Sequence, residues 1–347
     1  MAGKANGPRK AGARSAIAAS GRGRSVAVTG AFGFVGRSLV ARLEGQPGIE
    51  RVLALDLKPP PGELRKTSFV KVDLTHPRAD ATMAEAMLAA GTDTLVHLAL
   101  LYNPVHNASY AHEVEAIGTL QLLAAATAAG VDALVAMSST ALYGASPENP
   151  NFLTEDRPLR PAPQSRFLAD KLEVERQLQG FREARPGAAV AILRMAPLLG
   201  PRVRNPVTRL LGRPIVPVLM GRDPLMQFLH EDDAVRALEL AVLRRASGTF
   251  NIAPPGALPL SSVLKLLGCT ALPLPGPIAR AGMAALWSVL GYGTPPSWLD
   301  YLRYLWVADG SLAERELGLE YAHSVQGAVA AFGQSLGRLT PSPVPVG

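Results

Sequence analysis

The segment Thr29-Gly-Ala-Phe-Gly-Phe-Val-Gly36 constrains the fold more than any other stretch of the chain. Residues 25–30 before it form a short apolar run ending in glycine, which reads as a buried strand. Residues 37–43 after it carry helical spacing. The three glycines at this junction meet separate demands. Gly30 permits the tight turn, Gly33 lets the backbone approach a pyrophosphate, and Gly36 lets the helix pack closely on the strand. The helix N-terminus adds free N–H donors and the positive end of its dipole. A second buried strand over 51–56 ends in Asp56, 20 residues past Gly36. A carboxylate there accepts hydrogen bonds from ribose hydroxyls and repels a 2′-phosphate. The pattern implies a dinucleotide site built from Gly30, Phe32, Gly33, Phe34, Val35, Gly36 and Asp56, with NAD preferred over NADP. Arg51 and Lys58 moderate that preference.

Further buried strands are expected at 69–73, 94–99, 133–137 and 189–193, with helices at 80–90, 114–129 and 164–182 between them. Strands alternating with helices of this length mean βαβ units, hence a doubly wound α/β fold with a mostly parallel sheet. Beyond Met195 prolines crowd 197–224 and 254–277, a seventh strand is expected at 248–252, and helices at 232–245 and 278–290. The chain therefore divides into a disordered basic tail (1–24), an NAD-binding Rossmann domain (25–195, with contributions from about 225–253), a smaller, partly interleaved C-terminal substrate lobe (196–338) and a frayed tail (339–347).

Composition removes other classes. The single cysteine, Cys269, excludes a disulfide framework and a thiolate-rich metal centre. The six histidines show no ligand spacing, so no metal is expected. Six of the seven net positive charges lie in residues 1–24. A near-neutral body with 5% aromatic residues argues against a specific nucleic-acid partner. No apolar run is long enough for a membrane span, and no secretory leader is read, so a cytoplasmic placement is expected. A homodimer and peripheral contact with a membrane both stay open.

Taken in order, the motifs resemble the extended short-chain dehydrogenase/reductases, the NAD-dependent epimerase/dehydratase family. Thr29–Gly36 matches its TGxxGxxG fingerprint. Val72-Asp73-Leu74 is similar to the segment that contacts adenine, and Val96-His97-Leu98-Ala99 to the strand end beside the cofactor. Ser138-Ser-Thr-Ala-Leu-Tyr-Gly144 resembles the SSxxxYG active-site strand. Leu193-Arg194 with Leu199-Gly200-Pro201, then Phe228 to Asp233 and Phe250-Asn-Ile252, resemble later motifs. The resemblance spans about residues 25–335. It implies that Asp73, Leu74, Leu98, Ala99 and Lys171 join the cofactor contacts.

It also implies chemistry by a serine, a tyrosine and a lysine, the last two spaced YxxxK. The lysine ammonium acidifies the phenol, which moves the proton. Ser139 and Lys171 fall at the serine and lysine positions, and Phe167 stands where the tyrosine belongs. A second departure is Glu115, where the family's NxxGT has asparagine. Phenylalanine moves no proton, so ordinary tyrosine-driven catalysis is in question while cofactor binding is not. Blander roles are also open: Phe167 as core, Ser139 as a turn residue, Tyr143 as packing, His97 as a backbone-positioning residue, and Asp232–Asp233 as a helix N-cap.

The C-terminal lobe is unusually apolar around Leu198-Leu199, residues 215–220 and 278–292, Trp287, Trp298, Tyr301, Tyr304 and Trp306. Arg194, Arg202, Arg204, Arg209 and Arg213 suit a sugar-nucleotide diphosphate, whereas the apolar bulk suits a steroid, isoprenoid or acyl substrate. The expected function is an oxidoreductase, epimerase or dehydratase with a modified catalytic set, acting on a small apolar or sugar-nucleotide substrate. The alternatives are a catalytically silent NAD-binding sensor or scaffold, and a peripheral-membrane partner with a structural Rossmann domain.

Overall fold

The computed structural model describes residues 23–289 and 293–339. The expected tails therefore lie almost wholly outside the described residues, as does Leu290. Arg24, assigned above to the basic tail, instead opens the first strand. Its guanidinium donates to the Val242 and Leu243 carbonyls at 3.1 and 2.8 Å.

Seven strands carry the apolar runs: β1 (Arg24–Thr29), β2 (Ile49–Asp56), β3 (Thr67–Lys71), β4 (Thr94–His97), β5 (Ala133–Ser139), β6 (Ala189–Met195) and β7 (Gly248–Ile252). All pair in parallel in the order β7-β6-β5-β4-β1-β2-β3. Six helices matter below: α1 (Phe34–Gly45), α2 (Ala79–Ala90), α3 (Gly118–Ala128), α4 (Arg166–Ala184), α5 (Glu231–Arg244) and α6 (Gly276–Ser288).

The central strands are largely apolar because both sheet faces are covered, while β3 at the sheet edge keeps Ser68 and Lys71 exposed. Val26 and Val28 pack under α1 and α5, while Ala27 between them packs under α2. This is the doubly wound fold expected from the alternation. Strand order reverses between β1 and β4, so a crevice opens at their carboxyl ends.

Local chemistry sets the element ends. Gly91, at φ 61°, terminates α2, and Ser165 caps α4 by accepting from the Leu168 N–H. β3 stops at Lys71, two residues short of the expected end, because the Asp73 carboxylate turns the chain by accepting from the Thr75 N–H at 2.9 Å. The N-cap expected at Asp232–Asp233 is instead His230, whose Nδ1 accepts from the Asp232 N–H at 3.2 Å. Glu231, Asp232 and Asp233 fill the first turn of α5, where the dipole favours acids. The helix expected at 114–129 begins earlier. It runs through Ala108–His112 and a π-helical turn at Glu113–Ile117 before α3.

The C-terminal lobe holds its own core, with Leu211, Val216, Phe228, Val263, Leu264 and Phe332 among its members. A parallel strand pair, Ile215–Leu219 with Thr270–Leu274, lies beside it. A further cluster joins Leu142 and Tyr143, just past β5, to Leu168, Tyr301 and Trp306, with Phe167 and Trp298 packed against it. Helix α6 has no buried residue.

Candidate active site

The glycine turn is tight on every side. Gly30 has φ +62°, and a Cβ there would stand 2.7 Å from the Leu98 carbonyl oxygen. A Cβ on Gly36 would collide with the Gly30 carbonyl, and one on Gly33 would lie 3.1 Å from it. Asp56 closes the turn from β2: one carboxylate oxygen accepts from the Phe32 N–H at 2.8 Å and the other from the Lys58 N–H at 3.1 Å. Phe34, Val35 and Gly36 form the first turn of α1, whose N-cap, Gly33, makes no side-chain cap. Their N–H groups are thus available to an anion. This cradle fits a dinucleotide: the backbone lies close where side chains are barred, and the acid stands at the strand end.

The remaining cofactor candidates lie around it. Asp73 is exposed just past β3, and its two hydrogen bonds from Thr75 hold its carboxyl below the ordinary value. Leu74 is buried against the start of α3, where a Cβ on Gly118 would come within 2.9 Å of it. Leu98 is buried beside Gly30 and Ala99 is half-buried. The Thr29 hydroxyl accepts from both their N–H groups. Its own hydrogen goes to His97 Nδ1 at 2.9 Å, and His97 Nε2–H donates to Thr119 Oγ1 at 3.1 Å. That tautomer follows because the Thr119 hydroxyl already donates to the Glu115 carbonyl. Burial pushes the His97 pKa down to about 3, so the ring is a neutral post tying β1, β4 and α3 together.

Ser139, at the end of β5, caps the following 3-10 turn by accepting from the Ala141 N–H at 3.2 Å. Phe167 and Lys171, one turn apart on α4, line the same cavity as Ser139. Lys171 Nζ stands 4.9 Å from the Phe167 ring centre. No hydroxyl occupies that ring, and the ammonium is committed elsewhere: Nζ lies 3.1 and 3.4 Å from the two oxygens of Glu115. Glu115 is 1% exposed and also accepts from the Leu101 N–H at 2.6 Å. Burial raises its pKa and Lys171 pulls it partly back. The π-helical turn presents this carboxylate to α4 and to the loop after β4, and such turns recur at functional sites. The sequence marked Glu115 as a departure but carried no sign of the π turn or of its pairing with Lys171.

Tyr143 is unavailable for proton transfer. Its buried hydroxyl accepts from Arg194 and donates to Asn251, both at 2.8 Å. Arg194 is also removed from the list of diphosphate partners, because it is buried in a 2.8 Å ion pair with Glu175. The Ser138 hydroxyl joins this network through Glu175. Tyr102 does line the cavity, and desolvation followed by the Glu115 charge raises its pKa.

The cavity measures about 690 Å³ and runs from Phe34, Ser139 and Lys171 into the C-terminal lobe. Trp298, Tyr301 and Trp306 line it. Trp287 instead stacks on His106 at 3.8 Å, joining α6 to the loop after β4. Tyr304 sits against Arg222 and Arg303. Arg202, on the cavity wall, is bound to Glu231 at 2.6 Å and Asp232 at 2.7 Å. Among the described residues there is no cluster of three or more groups suited to a metal ion, and no helix long and apolar enough to cross a membrane.

The sequence profile of the NAD dependent epimerase/dehydratase family matches residues 26–253. An uncharacterized protein of Mycobacterium tuberculosis is 38% identical over 258 residues, 72% of this chain and 68% of that protein. The dTDP-glucose 4,6-dehydratase of Streptomyces griseus is 32% identical over 260 residues, 69% of this chain and 76% of the relative. Among solved structures, MoeE5 in complex with UDP-glucuronic acid and NAD superposes with a TM-score of 0.68 at 26% identity, over 90% of this chain and 99% of that one.

Proposed function

The chain belongs to the NAD-dependent epimerase/dehydratase family, and on that premise we propose that it is an NAD-dependent enzyme acting at a carbon that bears a hydroxyl or ketone. One observation carries the reading. A single cavity touches the first turn of α1 at Phe34, the β5 end at Ser139 and the α4 lysine, Lys171. In this reading residues 25–195, with 225–253, hold the cofactor, and 196–338 choose the substrate.

When bound, NAD supplies the ring carbon that takes or gives a hydride. The Gly30–Gly36 turn and the α1 N-terminus would hold its pyrophosphate and Asp56 its adenosine ribose. Lys171 would hold the nicotinamide ribose, which requires an ammonium and no phenol. Ser139 Oγ stands ready to bond the substrate oxygen. The dehydratase relative and NAD-bound MoeE5 support the NAD-linked reading as a whole.

Phe167 favours a second reading, a catalytically silent NAD-binding sensor or scaffold, because no proton-carrying group occupies its place. Calorimetric titration with NAD tests what the readings share, and micromolar one-to-one binding is expected. Absence of binding by folded protein overturns both. Steady formation of NADH or NAD from added alcohols or ketones then supports the enzyme reading against the silent one.

A further inference from the structure

Resting on the NAD-linked reading above, we propose that the cavity takes an amphiphile: a phosphate-bearing head carrying the reacting hydroxyl or ketone, joined to an apolar chain. The lining divides into two chemistries. Among the described residues no Asp or Glu side chain lines the cavity, but Lys171, Arg202, Arg204, Arg209 and Arg213 do. Glu115 neutralises Lys171, and Glu231 with Asp232 neutralises Arg202. Arg204 and Arg209 are exposed and have no carboxylate partner among the described residues, although Arg204 Nη1 donates to the Pro201 and Val203 carbonyls at 3.0 and 2.9 Å. An anionic group is what such guanidinium groups hold.

The rest of the lobe wall is apolar, through Val207, Leu210, Val218, Leu274, Met283 and Trp298. A nucleoside, with its ribose hydroxyls and base edges, finds few partners on that surface, and each polar group buried there unpaired costs binding. A chain of methylenes gains from every one. The wall also continues outward. Ile278 of α6 lines the cavity yet is 58% exposed, and Val289, just past the helix, is 79% exposed. A chain longer than the cavity leaves along that apolar edge. A neutral lipid would leave the arginines without their anion, and a sugar nucleotide would leave the apolar wall unused.

The test is calorimetry on the NAD-loaded protein with hexyl, octyl and decyl phosphate below their micelle concentrations, and with decanol and UDP-glucose as comparators. Binding should be one-to-one and tighten by roughly fourfold per methylene. Decyl phosphate should bind at least tenfold more tightly than decanol, and Arg204→Ala with Arg209→Ala should remove that margin. Met283→Asp should abolish the dependence on chain length. Because α6 has no buried residue, that variant should fold, with unchanged NAD affinity as the check. Binding that ignores chain length, decanol that matches decyl phosphate, or UDP-glucose that binds more tightly than decyl phosphate overturns the proposal. Failure of NAD to bind sinks the NAD reading instead, and the alkyl phosphate series, repeated without NAD, then tests the amphiphile site separately.

Discussion

Placing a phenol at position 167 should not by itself create a family-like acid/base, because Glu115 already pairs with the lysine. Lys171 Nζ lies 4.9 Å from the Phe167 ring centre. At an effective dielectric constant of about 20, an ammonium about 5 Å from a phenolate stabilises it by roughly 3.3 kcal/mol, or about 2.4 pKa units. The nearer Glu115 oxygen is 3.1 Å from that ammonium, so it acts on the same phenolate from at most about 8 Å. There it opposes by at least roughly 2.1 kcal/mol. The net acidification in Phe167→Tyr is then at most about 1.2 kcal/mol, under one pKa unit. Phe167→Tyr with Glu115→Gln keeps an acceptor for the Leu101 N–H and removes the charge, so the introduced phenol should titrate about 1.5 units lower than in the single variant. Ultraviolet difference titration against the parent reads this directly and needs no substrate. If any ketone is turned over, the double variant should gain about 10²–10⁴-fold and the single far less. Equal phenol pKa values in the two variants would refute the reasoning.

Asp56→Ala should cost NAD about 1–3 kcal/mol while sparing NADP, as calorimetry with both cofactors will show; an unchanged preference would remove Asp56 from the ribose site. Gly36→Ala forces a Cβ onto the Gly30 carbonyl and should lower NAD affinity at least tenfold, whereas Gly45→Ala, which meets nothing within 4 Å, should leave it unchanged. Buried His97 stays neutral to about pH 3, so below pH 6.5 the unfolded chain binds a proton that the fold refuses. Stability should fall by about 1.4 kcal/mol per pH unit from 6.5 towards 3 on this account. His97→Gln should flatten urea midpoints over that range relative to the parent, and parallel profiles would count against the assignment. Glu115→Gln and Lys171→Met should each destabilise more than the two together, by about 3–5 kcal/mol for the worse single variant, because each alone strands a buried partner; additive losses in thermal melts would contradict that coupling.

The elements that could be read from the sequence are those governed by local rules. β1, β2, β5 and β6 each carry a run of buried apolar residues because helices cover both faces, and the three glycines sit where a Cβ has no room. What could not be read depends on partners distant in sequence. Arg194 looked like a phosphate ligand because an arginine at a strand end has no local signature of burial. Only the fold brings Glu175, 19 residues away, against it. His230 capped α5 where two aspartates offered themselves, because Asp233 is drawn to the Ala322 and His323 N–H groups far along the chain. The π turn that delivers Glu115 has no sequence period of its own.

Those distant pairings also explain why two departures from the family pattern belong together. With a tyrosine at position 167, a lysine one turn away has a phenol oxygen to face, and an asparagine at position 115 leaves that lysine's charge available to acidify it. With Phe167 in place the charge has no phenolate to stabilise. Lys171 is only 12% exposed on its side chain, so its ammonium needs an anion close by, since burying an unpaired charge costs several kcal/mol. Glu115 supplies that anion and, by the same contact, has part of its own burial penalty offset. On the proposed register, with Phe167 at the tyrosine position, the two departures amount to one electrostatic change. In that reading a net positive, phenol-acidifying site becomes a neutral one that still offers Lys171 for hydrogen bonding. On the amphiphile proposal, charge recognition then falls to the arginines of the cavity wall, and the substrate brings the negative charge.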